Sequence, residues 1–522
     1  MKQNSFGVSI GTLCKRVIPA AIAGSLLLMS LGGTRAKADA VIQRTQQSFP
    51  SITAAVKTAQ EGDIIEVGPG TYSGTLVIGK PLTLVGIGRP IIDGEGAAVA
   101  VRVIGSGVTI DGFIITSTGS PKHKVDFLTA VSEEACVLAF GSNHTFRNNE
   151  LTGCHHGLYL TEVYDSTAEG NNIHDNRFDG IMVRNSRRDT LRNNSVTANG
   201  YGGISIFTFI APPHAETAWK RMTKETFSLS SGLVNMDDAL SEDILIDANI
   251  VTGNGIGGIA IGHARRVTAQ KNAASKNGGT SLPAAMKGLG VAGAIDDRGF
   301  GIGLNCFGYD NTITDNQVRS NDNIGIFVDS SVNNRIVTNE VVDNPYGILV
   351  LGAWGNRITA NGVSGSSVTG IRLERGSPLN LPPTGNLITN NNMQRNAMNA
   401  WDTSGKDVAK PKNSPWNASN TPPGFPSNLS AADAWDDGAR GNHFDDFDEE
   451  KEGFVDADDD GVGESSYQIP GGAAVDHYPL AATSIPGSAG KTGSLDGLAT
   501  AALGFCLPTG LCSSAEACGF WP

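Results

Sequence analysis

The chain has 522 residues, of which 39% are hydrophobic and 17% charged, and its formal net charge is −13. This acidic balance argues against a nucleic-acid partner, because binding to phosphates needs clustered Lys and Arg side chains. It also excludes electrostatic attraction to an anionic membrane surface.

The first 38 residues have the pattern of a secretory signal. Basic residues precede an apolar run from Val17 to Leu31, and the small-residue pattern Ala36-Lys37-Ala38 follows. Because the run is shorter than the roughly 20 residues that span a bilayer, a retained membrane anchor is disfavoured. We predict a mature chain that begins at Asp39, has no integral membrane segment, and is periplasmic, on the cell surface or secreted.

A helix and a strand are predicted next. Ser51 is a good N-cap for a short helix with helical spacing over residues 52–59, and the apolar segment Asp63 to Val67 follows. We expect this helix to close the first end of the structure, because an uncovered strand edge invites aggregation.

The central part of the chain is an internal repeat. The motif Gly-Ile/Leu-x-Val/Leu/Ile recurs, and where no insertion intervenes the copies are 22 to 24 residues apart. It begins at Gly157, Gly180, Gly203, Gly258, Gly301, Gly325, Gly347 and Gly370. Its apolar residues are two apart, as strands with one buried face require. Short parallel strands without helices between them predict an all-β, right-handed parallel β-helix of about twelve rungs over residues 39–400.

Asn recurs twice in each repeat, once 13 to 15 residues after the Gly and again near residue 19 or 20. Stacked amides can form hydrogen bonds from rung to rung, and Asn tolerates the left-handed conformation of a tight corner. We therefore predict that these residues are structural. The two sets are Asn172, Asn194, Asn272, Asn316, Asn339, Asn361 and Asn176, Asn199, Asn277, Asn321, Asn344.

The repeat stops after Ala400. Residues 401–483 are predicted to be a capping segment, and 484–522 a Gly/Ser-rich tail of unknown role. The exported chain would hold six Cys, which allow fifteen pairings that the sequence does not distinguish. Three of them crowd the tail, where a local disulfide knot or a link to an envelope protein is predicted. Unpaired thiols are an equal alternative for Cys136 and Cys306.

These features resemble the pectin-lyase-like β-helix superfamily, and within it the carbohydrate-binding and sugar-hydrolase repeat group that includes NosD-type periplasmic proteins. The opening similarity lies in the segments from Ser51 to Ala55 and from Gly62 to Tyr72. The closing similarity lies in three segments, 441–447, 456–463 and 476–480. The resemblance implies the fold and leaves the activity open. The mannuronan epimerase branch is typified by Asp-Pro-His-Asp, a string this sequence lacks.

The candidate site lies where three insertions, 118–133, 207–241 and 279–298, join one strand face. A uronate lyase or C5-epimerase needs a cation for the carboxylate, a base and a second proton donor. We assign these roles to Arg184, His156 and Tyr159, with Asp179 beside them. The predicted substrate-binding residues are His155, Tyr201, His214, Lys220 and Arg221.

Other interpretations of these residues stay open. His155 and His156 could be solvated corner residues, with Arg184 simply paired to Asp179. A hydrolase would need two carboxylates, and the spacing of Asp165, Asp179 and Asp189 selects no pair. The Cys154-His155-His156 run also offers copper ligands, which the NosD resemblance keeps open.

A calcium site is predicted in the acidic segment of the cap. Asp456, Asp458 and Asp460 occupy positions 1, 3 and 5 of a loop with Gly461 next, and Glu464 occupies position 9. Position 12 is Tyr467 instead of Glu, and a solvated acidic linker is the alternative. The leading hypothesis is thus an exported protein that binds an anionic polysaccharide, with lyase or C5-epimerase action on the polymer as its extension. Its alternatives are a NosD-like accessory protein for copper or metalloenzyme maturation and a structural surface rod.

Overall fold

The computed structural model describes residues 39–117, 134–208, 240–279, 298–305, 308–376, 382–404 and 432–482. Three parallel sheets run along the coil, and each rung contributes one strand to each sheet. We call them sheets 1, 2 and 3, in the order in which the chain visits them within a rung that starts in sheet 1. The predicted right-handed parallel β-helix of about twelve rungs is confirmed.

The strands of the three sheets follow in spatial order. Sheet 1 contains Gln47–Phe49, Ala40–Ile42, Ile64–Val67, Thr83–Gly86, Thr109–Asp111, Thr145–Arg147, Thr167–Glu169, Thr190–Arg192, Leu245–Asp247, Thr268–Gln270, Thr312–Thr314, Arg335–Val337, Arg357–Thr359 and Leu387–Thr389. Sheet 2 contains Thr71–Ser73, Ile91–Asp93, Ile114–Thr116, Glu150–Thr152, Asn172–His174, Ser195–Thr197, Ile250–Thr252, Ala273–Ser275, Gln317–Arg319, Glu340–Val342, Gly362–Ser364, Asn392–Gln394 and His443–Phe444. Sheet 3 contains Leu76–Ile78, Val99–Val103, Ala135–Ser142, His156–Tyr164, Ile181–Arg184, Gly202–Phe207, Gly257–Gly262, Phe300–Asn305, Ile324–Asp329, Tyr346–Leu351, Thr369–Glu374 and Ala400–Asp402.

The short strands of sheets 1 and 2 bury one side chain each, as in Thr190–Arg192, where only Leu191 points inward. In sheet 3 the inward positions hold pairs such as Ile181 and Val183. Strand neighbours keep a fixed register, so Ile181 lies beside Leu158 below and Ile204 above. The core is therefore a set of stacked aliphatic columns with one layer per rung.

Three columns of Asn run along the corners. In each, the backbone N–H and Nδ2 of one Asn donate to Oδ1 of the Asn in the next rung, as Asn272 does to Asn316 at 2.9 and 3.0 Å. The first column is Asn149, Asn171, Asn194, Asn249, Asn272, Asn316, Asn339, Asn361, Asn391 and Asn442. The second is Asn176, Asn199, Asn254, Asn277, Asn321 and Asn344. The third is Asn311, Asn334, Asn356 and Asn386.

These contacts give the predicted Asn residues a structural role, with one correction. Asn171, rather than the predicted Asn172, belongs to the first column, because it directly precedes the sheet 2 strand, as Asn194 does in the next rung. Two columns end on a carboxyl group, Asp476 after Asn442 and Asp433 after Asn386. An Asp suits the last position because it accepts the final amide hydrogen bonds without needing an acceptor in a further rung.

The first end of the coil is closed by a helix, Ile52–Thr58, as predicted. The Ser51 hydroxyl caps it by accepting a hydrogen bond from the Ala54 N–H at 3.2 Å. The antiparallel strands Ala40–Ile42 and Gln47–Phe49 continue sheet 1 beside it. Ile52 and Val56 face the core, so the helix covers the first rung with apolar surface.

Residues 432–482 pack on the last rung. Trp435 is fully buried and donates from Nε1 to Asp402 at 2.8 Å. The Gly471 backbone lies against the ring of Trp401. The regular elements here are a 3₁₀ turn, Glu450–Glu452, and the antiparallel strands Tyr467–Gln468 and Val475–Asp476; a small parallel pair elsewhere joins Ser241–Glu242 to Ala264–Arg265. The unpaired edges of the final strands are thereby covered.

A disulfide joins Cys136 to Cys154, both buried beneath sheet 3. The alternative of an unpaired Cys136 was therefore wrong. The remaining Cys residues, the predicted signal and the tail lie outside the described residues. In the part of the chain that the structure describes, no helix has the length and apolar character needed to cross a membrane.

Candidate functional site

The outer face of sheet 3 carries the predicted catalytic residues. His156 opens one strand, and Asp179 ends the corner that leads into the next strand. The His156 Nδ1 and an Asp179 carboxylate oxygen are 3.5 Å apart, and both side chains are fully buried. Burial raises the pKa of Asp179 to about 7, although hydrogen bonds from the Ser205 hydroxyl and the Gly202 N–H oppose the shift. A buried carboxyl with a raised pKa beside a buried imidazole is an arrangement common at functional sites.

Tyr159 and Arg184 lie beside this pair. The Arg184 guanidinium donates to the Tyr159 hydroxyl at 3.1 Å, and the Tyr159 ring is 5.1 Å from the His156 ring between centroids. The fold therefore brings the four predicted catalytic residues together. The alternative pairing of Arg184 with Asp179 is replaced by two pairs, Arg184 with Tyr159 and Asp179 with His156.

An aromatic stack stands at the start of the same strands. The rings of His155 and Phe178 are 5.4 Å apart at 11°, and those of Phe178 and Tyr201 are 4.2 Å apart at 8°. Phe178 was not predicted as a site residue; its signal is the aromatic side chain recurring one repeat apart. His214, Lys220 and Arg221 lie outside the described residues, as do the three insertions that were to frame the site, apart from residues at the ends of the second and third.

The outer face of sheet 3 is largely apolar in the described residues. The residues between the inward pairs point away from the core and join a second apolar cluster in which Tyr159 is 1% exposed. Met182, Phe327 and Leu349 are members of it. The physical reason is visible in the sequence, since these strands carry large apolar side chains on both faces. His156 is likewise buried and is not a solvated corner residue.

Ser205 contacts Asp179 and was not predicted from the sequence as a site residue. Its hydroxyl donates to Asp179 Oδ1 at 2.7 Å, the oxygen that the Gly202 N–H also reaches at 3.1 Å. The order along this network is Ser, Asp, His, so the His does not deprotonate the Ser as it would in a serine hydrolase. The network instead fixes the carboxyl that faces His156.

The three carboxylates considered for a hydrolase have separate structural roles. Asp165 pairs with Arg188 at 2.6 Å on the surface, and this guanidinium lowers the pKa of Asp165. Asp189 is buried and accepts from the Ser166 N–H at 2.9 Å, and burial raises its pKa to about 8. With Asp179 paired to His156, these contacts select no pair flanking a common space.

The acidic loop brings together three of its four predicted calcium ligands. Single oxygens of Asp456, Asp458 and Glu464 lie within 4.8 Å of one another. Asp460 is not in this group, and its carboxylate accepts from the Val462 N–H at 2.8 Å. The Tyr467 hydroxyl at position 12 reaches Asp446 at 3.2 Å.

A copper site at Cys154-His155-His156 loses its soft ligand, because the sulfur of Cys154 is bonded to Cys136. A disulfide sulfur is not the thiolate that binds Cu(I) or Zn²⁺. The two imidazoles meet edge to face with centroids 4.7 Å apart.

The family model described as "Right handed beta helix region" matches residues 95–211 and 222–363. This chain is a right-handed parallel β-helix protein. The matched ranges cover the rungs that carry His156 and Asp179. The narrower resemblance to the NosD-type group stays a prediction.

Two kinds of relative of this β-helix protein were found. A cell surface glycoprotein of Methanothermus fervidus is 25% identical over 191 residues, which are 35% of this chain and 31% of that protein. The β-helix protein thus aligns with less than a third of the length of this curated relative. Its fold is similar to the A-module of mannuronan C-5 epimerase AlgE6 from Azotobacter vinelandii, with TM-score 0.48, 15% identity and coverage of 67% and 89% of the two chains. It is also similar to the catalytic unit of the GH87 α-1,3-glucanase from Streptomyces thermodiastaticus, with TM-score 0.45, 16% identity and coverage of 67% and 60%. These structural likenesses are of fold and bring no activity to this chain.

Proposed function

We propose that this protein is exported, binds an acidic polysaccharide and modifies it by uronate lyase or C5-epimerase chemistry on the outer face of sheet 3. The observation that carries the proposal is the meeting of His156, Asp179, Tyr159 and Arg184 in one cluster, with His156 and Asp179 3.5 Å apart. Both reactions begin by removing the proton beside a uronate carboxylate, and these side chains supply each group that this step needs.

Each residue has a distinct role in this proposal. Arg184 neutralises the uronate carboxylate and so makes the adjacent proton more acidic. His156 removes that proton while Asp179 orients the imidazole and balances its positive charge. Tyr159 donates a proton to the leaving oxygen in a lyase, or to the opposite face of the sugar in an epimerase. Because His156 and Tyr159 are buried, the outer-face side chains have to move when the polymer binds.

Export is supported by the signal pattern in the first 38 residues and by the similarity to a protein named as a cell surface glycoprotein. A polymer substrate suits such a location. The accessory role in copper handling has less support, because Cys154 lies in a disulfide.

Incubation of the mature protein with polymers of mannuronate, guluronate and galacturonate tests this function. Absorbance of unsaturated ends reports a lyase, and proton NMR of the C5 signals reports an epimerase. We expect product with at least one polymer and a loss of at least about 100-fold in His156→Gln, as removal of a general base entails.

The matched control is His174→Gln, a change at a half-buried imidazole on the outer face of sheet 2. It is expected to keep full activity. Native protein that is folded by circular dichroism yet leaves every polymer unchanged would refute the catalytic proposal and favour a structural surface rod.

We also propose that the acidic loop of the cap binds one Ca²⁺ through Asp456, Asp458 and Glu464. The support is the convergence of three carboxylate oxygens within 4.8 Å, the hard ligands that Ca²⁺ prefers. Isothermal titration with Ca²⁺ should show one site that is lost in Asp458→Ala and kept in Asp459→Asn, a change at an exposed neighbour outside the cluster. Equal binding by both variants would place the ion elsewhere.

A further inference from the structure

A small cleft lies on the outer face of sheet 3, two to four rungs beyond His156. Its volume is about 20 Å³, enough for one water-sized polar group. The lining residues are Tyr201, Gly202, Ser205, Phe207, Ile256, Gly257, Ala260, Phe300 and Asn305. Apart from the polar atoms of Ser205 and Asn305, the side chains around it are apolar or aromatic.

The walls of the cleft are two Phe rings, and each ring has room because it lies over a glycine. A Cβ on Gly257 would lie 2.3 Å from Phe300 Cζ, and a Cβ on Gly262 would lie 2.5 Å from Phe207 Cε1. Each ring therefore lies directly over a glycine of the middle strand. Ala260, between the two glycines, forms the floor.

Asn305 and Ser205 each present an acceptor oxygen to the cleft. Asn305 is only 2% exposed, and among the described residues its Oδ1 has no hydrogen-bond partner. Ser205 uses its hydroxyl proton on Asp179, which leaves only lone pairs on Oγ. A buried acceptor without a partner is costly, so a ligand that fits here has to donate a hydrogen bond.

We propose that the cleft binds one hydroxyl group of a glycan, with Asn305 Oδ1 accepting its proton and Phe207 and Phe300 contacting the adjacent C–H groups. The inference rests on the proposed function and names the part of the sugar that is recognised. A carboxylate is excluded here because it would face two acceptors and the Asp179 carboxyl behind Ser205.

The cleft is in line with the proposed carboxylate site. Arg184, Phe207, Gly262 and Asn305 occupy one column of sheet 3 on four successive rungs. Three rung spacings amount to about 14 Å, so the carboxylate at Arg184 and the hydroxyl at Asn305 belong to different sugars of one chain.

Calorimetric titration with tetrasaccharides tests the cleft without reference to turnover. The probes are tetramers of galacturonate and mannuronate, and neutral tetramers of glucose and mannose. Ala260→Met fills the cleft and Asn305→Leu removes the acceptor, and we expect each to weaken binding at least tenfold. The control Ala273→Met places the same side chain on the outer face of sheet 2 in the next rung and should bind like the native protein.

The outcomes separate this inference from the proposed function. Unchanged affinity in Ala260→Met and Asn305→Leu overturns the cleft, even if the enzyme is active; if Ala260→Met fails to fold, Asn305→Leu decides alone. If binding depends on the cleft residues but no polymer is turned over, the result supports the cleft and contradicts only the catalytic proposal. Native protein that binds none of the four probes overturns the cleft.

Discussion

Replacing Asn316 by Ala is expected to lower the free energy of unfolding by about 3–5 kcal/mol, because several buried polar groups lose their partners at once. Asn316 Oδ1 accepts from the backbone N–H and Nδ2 of Asn272, and Asn316 Nδ2 donates to Ala269 O and to Asn339 Oδ1, all at 2.9 or 3.0 Å. Alanine satisfies none of these groups, and its smaller side chain leaves little room for water. Urea unfolding followed by circular dichroism measures the loss.

Two further variants check the reason. Gln317→Ala removes the next side chain, which points outward from sheet 2, and should change stability by less than about 0.5 kcal/mol. Asn316→Asp keeps the acceptor but sets a carboxyl oxygen against Ala269 O and Asn339 Oδ1, so it should destabilise as much as alanine. If Asn316→Asp leaves the free energy of unfolding unchanged, the donor-to-acceptor direction of the hydrogen bonds along the column does not contribute to stability.

The stability of the protein should fall as pH rises from about 4 to about 8. Burial raises the pKa of Asp476 to about 7 and of Asp189 to about 8, and it raises the pKa values of the neighbouring Asp402 and Asp433. Between the ordinary carboxyl pKa near 4 and these raised values the folded state binds more protons than the unfolded state. The free energy of unfolding is therefore highest below about pH 4. It declines between about pH 4 and pH 8, on the order of a few kcal/mol for each group.

Asp433→Asn tests one part of this effect. Asn keeps the oxygen that accepts from Asn386 at 2.8 and 2.9 Å and removes the buried charge beside Asp402. We expect little change at pH 4.5 and a gain on the order of 2 kcal/mol at pH 8, measured by urea unfolding at both values. Asp310→Asn, at an exposed corner, is the control and should leave the pH dependence unchanged. A gain of equal size at both pH values would contradict ionisation as the cause.

Much of the fold follows from local spacing. Inward pairs such as Ile181 and Val183 recur every 22 to 24 residues, and each strand pairs with its copy in the next rung. The Asn columns were also predictable, because Asn316 and Asn339 fall at the same place in successive repeats. The wrong prediction of Asn172 shows the limit of this reasoning, since two adjacent Asn residues leave the position of the corner ambiguous.

The candidate site was predictable only in part. The sequence placed His156, Asp179, Tyr159 and Arg184 on neighbouring rungs, and they do meet. Which of them pair was not predictable, because that depends on side-chain direction at the corner. The Asn305 acceptor was also missed, since it reaches the cleft only when Phe207 lies across Gly262.

The sequence alone thus determined the coil, its caps and its polar columns, since each follows from a period that one rung imposes on the next. The tertiary structure decided the Cys136–Cys154 bond, the choice of His156 as the partner of Asp179, and the burial of the outer face of sheet 3. These depend on contacts between side chains on different rungs, which the period aligns but does not specify. Whether an outward side chain is open or covered depends on everything packed around it, and no local pattern records that.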